Sequence, residues 1–184
     1  MIALFALWSA QDVSAQQDSP IEKNWYHTYI LDSSPNGFWI YYGNFFLDGT
    51  STGHVKNIKT GESYSFSQGT GGKFSSDSKF FSMPLDSNTL VLQDLKNGFK
   101  HTIDNVMVHY FSYTGKHLIT KSDKDTLTLS SLNNKKIFIT GRNFEFKLNP
   151  QKDILVMANG SEGYQTLQLT DFESISPLVI MKGS

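Results

Sequence analysis

The segment Gly49-Thr50-Ser51-Thr52-Gly53 spells G-x-S-x-G, the spacing of a nucleophile elbow. Such an elbow needs a strand before the serine and a helix after it, so that the hydroxyl stands exposed on a strained turn. No stretch of this chain carries a sustained 3.6-residue apolar period with capping residues. The pattern is therefore expected to form a polar hairpin loop between two strands. The histidines are His27, His54, His101, His109 and His117, and none is paired at H-x-x-x-H or H-E-x-x-H spacing. A zinc site needs three or four converging ligands, so surface or core-edge positions are expected for all five. A serine, histidine and aspartate can be picked from any chain this rich in Ser and Asp, so their presence alone has no weight.

Asp123 and Asp125 are paired carboxylates, but they fall in a turn-forming stretch and are expected to solvate a hairpin. The aromatic run Phe38, Trp39, Tyr41, Tyr42, Phe45 and Phe46 is denser than one strand needs. Packing of successive units is the expected role, with a carbohydrate or peptide groove as the alternative. Asn159-Gly160-Ser161 spells a glycosylation acceptor. No residue is assigned a catalytic, cofactor-binding or metal-binding role on these grounds, no cofactor is implied, and the binding residues stay open.

The elements that must carry these residues are strands. Of 184 residues, 39% are hydrophobic, 18% charged and 14% aromatic, with abundant Ser, Thr, Gly and Asn, which favours strands joined by tight turns. A formal net charge of −1 supplies no basic surplus for a nucleic-acid backbone. The absence of cysteine excludes disulfides and thiolate chemistry. At the N-terminus, Met1–Trp8 is an apolar run, and Val13-Ser14-Ala15 places small residues before a cut at Gln16. Residues 1–15 are thus expected to be a secretory signal lacking its basic leading region, with 16–24 as a linker. The alternative is an apolar N-terminus packed on the domain. No later segment has the ~20 apolar residues of a membrane-spanning helix.

One pattern occurs four times. The turns Ser34-Pro35-Asn36-Gly37, Ser75-Ser76-Asp77-Ser78, Ser112-Tyr113-Thr114-Gly115 and Asn149-Pro150-Gln151-Lys152 are offset by 41, 37 and 37 residues. Each leads into an apolar strand: 38–42, 79–83, 116–120 and 153–157. A second signature follows, with apolar residues at x, x+2 and x+5. Its sets are Gly53/Val55/Ile58, Leu90/Leu92/Leu95, Leu127/Leu129/Leu132 and Leu167/Leu169/Phe172. The strand period of two puts x and x+2 on one face, and x+5 is expected to pack back at the turn. Lys59-Thr60-Gly61 and Lys96-Asn97-Gly98 then supply hairpin glycines. Asn133-Asn134 does so less ideally, and Glu173-Ser174 departs most.

Each unit thus reads as four short antiparallel strands. In the second unit they are expected at 73–75, 79–83, 89–95 and 99–103, and in the third at 108–112, 116–121, 126–132 and 136–140. A four-stranded unit of about 40 residues has the size of a propeller blade. A β-sandwich also uses short strands but does not require a repeating sequence. The expected fold is all-β: a partial β-propeller of about four four-stranded antiparallel blades, at 25–68, 69–105, 106–142 and 143–184.

The stretch Ser34-Pro35-Asn36-Gly37-Phe38-Trp39-Ile40 resembles the S-P-D-G-K start of blade strands in the prolyl oligopeptidase family and in the related Tol-system periplasmic propeller. Val55-Lys56-Asn57-Ile58-Lys59-Thr60-Gly61-Glu62 is similar to the V-x-D/N-L-x-T-G-E/K of the same blades. Phe74–Phe80 and Leu92–Gly98 repeat both motifs, and Trp25 precedes the first blade as in exported peptidases of this type. The resemblance spans about residues 22–172. It implies a propeller preceding an α/β-hydrolase domain that carries Ser, Asp and His.

The expectation is therefore a non-catalytic propeller portion, cut from a longer exported serine peptidase and gating access of short peptides to that partner domain. It would be periplasmic or secreted. The alternatives are a stand-alone periplasmic propeller, complete in itself, that binds a protein or small ligand, and an enzyme in its own right.

Overall fold

The computed structural model describes residues 25–85, 88–133, 137–142, 144–161, 164–171 and 177–182, with side chains placed over 27–85, 88–133 and 145–158. The expected signal and linker, the end of the fourth x, x+2, x+5 set at Phe172, and the pair Glu173-Ser174 lie outside these residues.

Among the described residues every regular element is a strand, and these strands form four antiparallel sheets of four, each in simple sequential order. The first sheet contains β1 (Trp25–Ser33), β2 (Trp39–Phe46), β3 (Ser51–Asn57) and β4 (Ser63–Phe66). The second contains β5 (Lys73–Phe74), β6 (Phe80–Leu85), β7 (Thr89–Asp94) and β8 (Lys100–Ile103). The third contains β9 (Val108–Phe111), β10 (His117–Lys121), β11 (Thr126–Ser131) and β12 (Ile137–Arg142). The fourth contains β13 (Phe144–Leu148), β14 (Ile154–Ser161), β15 (Tyr164–Asp171) and β16 (Pro177–Lys182). In the second and third sheets these strands lie within about two residues of those expected from the sequence.

The repeated turn is a hydrogen-bonded device. In the first sheet the Ser34 hydroxyl donates to Asn36 Oδ1 at 2.7 Å and accepts from Trp39 N at 3.0 Å. In the second, Ser75 donates to Asp77 Oδ1 at 2.7 Å and accepts from Phe80 N at 3.0 Å. In the third, His117 N donates to Ser112 Oγ at 3.2 Å. The fourth turn position has positive φ in all three, at Gly37, Ser78 and Gly115. Only glycine adopts that conformation without strain, so Ser78 is held there by its neighbours. Ser34, Ser75 and Ser112 are buried, which makes each hydroxyl the partner of an otherwise orphaned amide. Replacing Ser75 by alanine should lower stability by about 1–3 kcal/mol, read as a lower urea midpoint at unchanged m-value. The control Ser76→Ala, whose hydroxyl donates at 3.2 Å to Ser112 O, should cost less.

The second signature works as a relay between sheets. Positions x and x+2 point forward to the next sheet, and x+5 points back to the preceding one. Val55 packs with Phe81, Met83, Val91 and Leu95 of the second sheet, alongside Trp39, Tyr41 and Phe66. Leu90 and Leu92 pack with Leu118, with Leu132 beside them. Leu127 and Leu129 pack with Leu155 and Met157. Among the described residues the core is therefore three inter-sheet layers, as expected for stacked repeats. Gly53, the set's non-apolar member, fits because a Cβ there would stand 2.7 Å from Met83 Cε of the next sheet.

One expectation fails at the first unit. Ile58, at x+5, does not pack back and is 57% exposed, whereas its equivalent Leu95 is 3% exposed. The reason is physical: among the described residues no sheet packs on that face of the first sheet, whereas Leu95 has the first sheet to lean on.

Candidate functional site

The hairpin from β2 to β3 carries the G-x-S-x-G segment, so strand follows strand and no elbow forms. Ser51 opens β3, and its Oγ accepts from Gly69 N at 2.9 Å. Asp125 closes the β10–β11 turn at φ 55° and pairs with Lys121 at 2.8 Å, while Asp123 is exposed beside it. The aromatic run divides by face. Trp39 and Tyr41 are buried against the second sheet, Tyr42, Phe45 and Phe46 are half-buried, and Phe38 is exposed beneath Lys59 Nζ at 3.7 Å. Asn159-Gly160-Ser161 forms the end of β14.

The histidines are spread over three sheets. His27 and His101 are exposed, His54 is half-buried, and His109 and His117 are buried at sheet junctions. Both are deeper than the sequence suggested, because β9 and β10 are enclosed by the second and fourth sheets. His117 Nδ1 lies 3.8 Å from Asp153 Oδ2, and the same aspartate accepts from Thr114 N at 2.8 Å and from the Thr114 hydroxyl. That cluster stitches the third sheet to the fourth. His109 Nε2 lies 3.0 Å from Ser82 Oγ. Ser82 is fully buried, and its hydroxyl donates to Lys73 O at 3.3 Å, so this pair offers no nucleophile to solvent. No group of three His, Cys, Asp or Glu placed to hold a metal occurs among the described residues. No helix among them is long and apolar enough to cross a membrane.

The surface with binding character lies on the first strands, which form one edge of each sheet. Lys73 Nζ of β5 sits 5.4 Å from the Tyr110 ring of β9, and Tyr110 meets Phe146 of β13 edge-on, centroids 5.8 Å apart. Between β9 and β13 opens a cleft of about 430 Å³ lined by Val108, Tyr110, Phe146, Lys147 and Leu148. On β1, Tyr29 and Ile30 are likewise exposed. The period of two explains the cleft. Tyr110 and Val108 share one face of β9, so His109 between them points into the core. An open apolar trough with two rings and lysines at its margins suits an extended chain that offers apolar side chains and a carboxylate. Sequence reasoning missed this site, because Val108, Tyr110 and Phe146 are separate in the chain and each reads as ordinary strand filler.

The chain matches no protein-family model and no curated protein sequence. It is similar in structure to an acylaminoacyl peptidase from Pyrococcus horikoshii, with TM-score 0.51, 12% identity, and coverage of 85% of this chain and 33% of that one. TolB from Acinetobacter baumannii gives TM-score 0.44 at 16% identity, covering 84% of this chain and 43% of that chain. The chain thus spans about a third of the peptidase's length, and at such identity the likeness is one of fold. Four sequential antiparallel sheets, joined face to face and shared with part of a peptidase chain, make this an all-β protein of propeller-like fold.

Proposed function

We propose that the chain is the non-catalytic propeller portion of an exported serine peptidase of the prolyl oligopeptidase family. Its blades are residues 25–68, 69–105, 106–142 and 143–184. Its first-strand surface passes short peptides toward an α/β-hydrolase domain carried elsewhere in the parent protein. The observation that carries this reading is the trough between β9 and β13, walled by Tyr110 and Phe146 with Lys147 at its rim. It is shaped for a peptide yet presents no serine, cysteine or carboxylate pair to attack one. The fold likeness to a peptidase supports the same reading.

The test is to read the coding DNA beyond Ser184. A G-x-S-x-G elbow followed by Asp and His is expected. A stop codon with no hydrolase domain would overturn it. That outcome would leave the second reading, a stand-alone periplasmic propeller, which the trough also favours because it is formed by this chain alone. On either reading, Tyr110→Ala should weaken binding of a short apolar peptide about tenfold or more, as aromatic anchors dominate such sites. Peptide titration followed by NMR reads this directly.

A further inference from the structure

Strand β9 ends the third sheet: it pairs with β10 on one side, and among the described residues no strand pairs with it on the other. An edge strand presents backbone groups that its own sheet does not use. The register says which ones. Ser112 N donates to His117 O at 2.9 Å, and opposed residues of an antiparallel pair alternate between bonded and unbonded. Two and four residues back, Tyr110 opposite Ile119 and Val108 opposite Lys121 therefore spend their N–H and C=O groups on β10. Met107 N also donates to Lys121 O at 2.9 Å, the pattern of a bulge that closes this end of the pairing. His109 and Phe111, at the alternate positions, turn their N–H and C=O groups to the free edge.

The two sides of that edge differ in chemistry. On the side of Val108 and Tyr110 lies the apolar trough closed by Phe146 and Leu148. On the side of His109 stands a cation. Lys73 pairs in register with Ser82, and the Ser82 hydroxyl meets His109, so Lys73 belongs to the face of the second sheet that packs on the third. Its ammonium nevertheless lies 5.4 Å from the centre of the Tyr110 ring. Tyr110 and His109 point to opposite faces of β9, so a cation near both stands at the edge of the strand. Among the described residues Lys73 has no carboxylate within ion-pair distance. Lys121, beside Val108 in register, is already paired with Asp125 at 2.8 Å. Lys147 and Glu145 are both exposed on β13. The unbalanced charge along this edge is therefore the positive charge of Lys73.

We propose that the free edge of β9 takes an extended peptide as an added strand, one in which apolar and acidic residues alternate. Backbone hydrogen bonds to His109 and Phe111 hold the peptide. The period of two then sends one set of its side chains into the trough and the other set past the Lys73 ammonium. The inference rests on the peptide-carrying role of the trough and adds how the peptide is held and which sequence is preferred.

Calorimetric titration of capped peptides into the 184-residue chain tests this. A peptide of alternating valine and glutamate should bind ~tenfold tighter than one of alternating valine and lysine. Lys73→Glu should reverse that order. Circular dichroism melts check folding, and Lys73→Met, which keeps the apolar stem and should remove most of the preference, replaces Lys73→Glu if the latter melts early. Methylating the backbone nitrogens of one alternate set of peptide residues should weaken binding ~tenfold, and methylating the other set should leave it unchanged, because only one set faces β9. Failure of every peptide to bind would overturn the peptide-carrying role of the trough and this inference with it. Binding that ignores the charge at Lys73, or that responds equally to both methylated sets, would overturn the added strand alone and leave the role of the trough standing.

Discussion

Phe81→Ala should destabilise the protein by about 3–5 kcal/mol, the range for deleting a fully buried phenylalanine. Phe81 is fully buried in the layer between the first and second sheets. Its ring meets Tyr41 at 5.0 Å, Phe66 at 5.4 Å and Phe74 at 4.9 Å, all tilted as aromatic pairs prefer. Gly72 approaches so near that a Cβ there would lie 2.2 Å from Phe81 Cζ. Tyr41 is also held in place, since its hydroxyl donates to Gly69 O at 2.9 Å. A loss of this size is comparable to the whole stability of many domains, ~5–15 kcal/mol. Urea denaturation should show it as a collapse of the midpoint. Phe99→Ala, at a residue 67% exposed, should change stability by no more than ~0.5 kcal/mol. Equal effects from the two substitutions would contradict the layered packing.

Acid should unfold the protein earlier than its carboxylates alone dictate. Burial, together with the positive charge of Lys73, pushes the His109 imidazole down to about 4. In the unfolded chain a histidine titrates near ~6.5. Between those values the unfolded state holds a proton that the folded state refuses, so stability falls as pH falls. The loss begins near pH ~6.5, grows to about 3 kcal/mol, and levels off once the folded state also protonates near pH ~4. His54, whose imidazole is also pushed down by burial, adds to the loss in the same direction. Stability measured against pH should therefore slope upward from acid to neutral. His109→Gln should flatten that slope, since glutamine can still meet the Ser82 hydroxyl but takes no proton. An unchanged slope in the variant would show that His109 is not held neutral by the fold.

Much of the architecture was legible along the chain because its signals are local. The Ser-x-Asx turn recurs since a buried hydroxyl must serve the amide five residues on, as Ser34 serves Trp39 and Ser75 serves Phe80. The Asn57 and Asp94 side chains accept amides two and three residues ahead, which is why N-x-x-x-G and D-x-x-x-G mark the third-to-fourth strand turns. Strand positions followed from these turns and from the period of two.

What lay beyond the sequence is everything that depends on which sheet a face meets. The relation of x to x+2 fixes a shared face for Leu90 and Leu92 but cannot say that this face looks forward, or that Leu95 looks back. Ile58 and Leu95 are equivalent as letters and opposite in burial, because among the described residues only Leu95 has a sheet packed behind it. His109 and Tyr110 are adjacent in the chain, yet one is a buried neutral base and the other the wall of a trough. Local hydrogen bonds and alternation are set within a few residues, so the amino-acid sequence alone determined the turns, the strands and their grouping in fours. Burial, proton affinity and the binding surface arise between units some 40 residues apart, and those the tertiary structure decided.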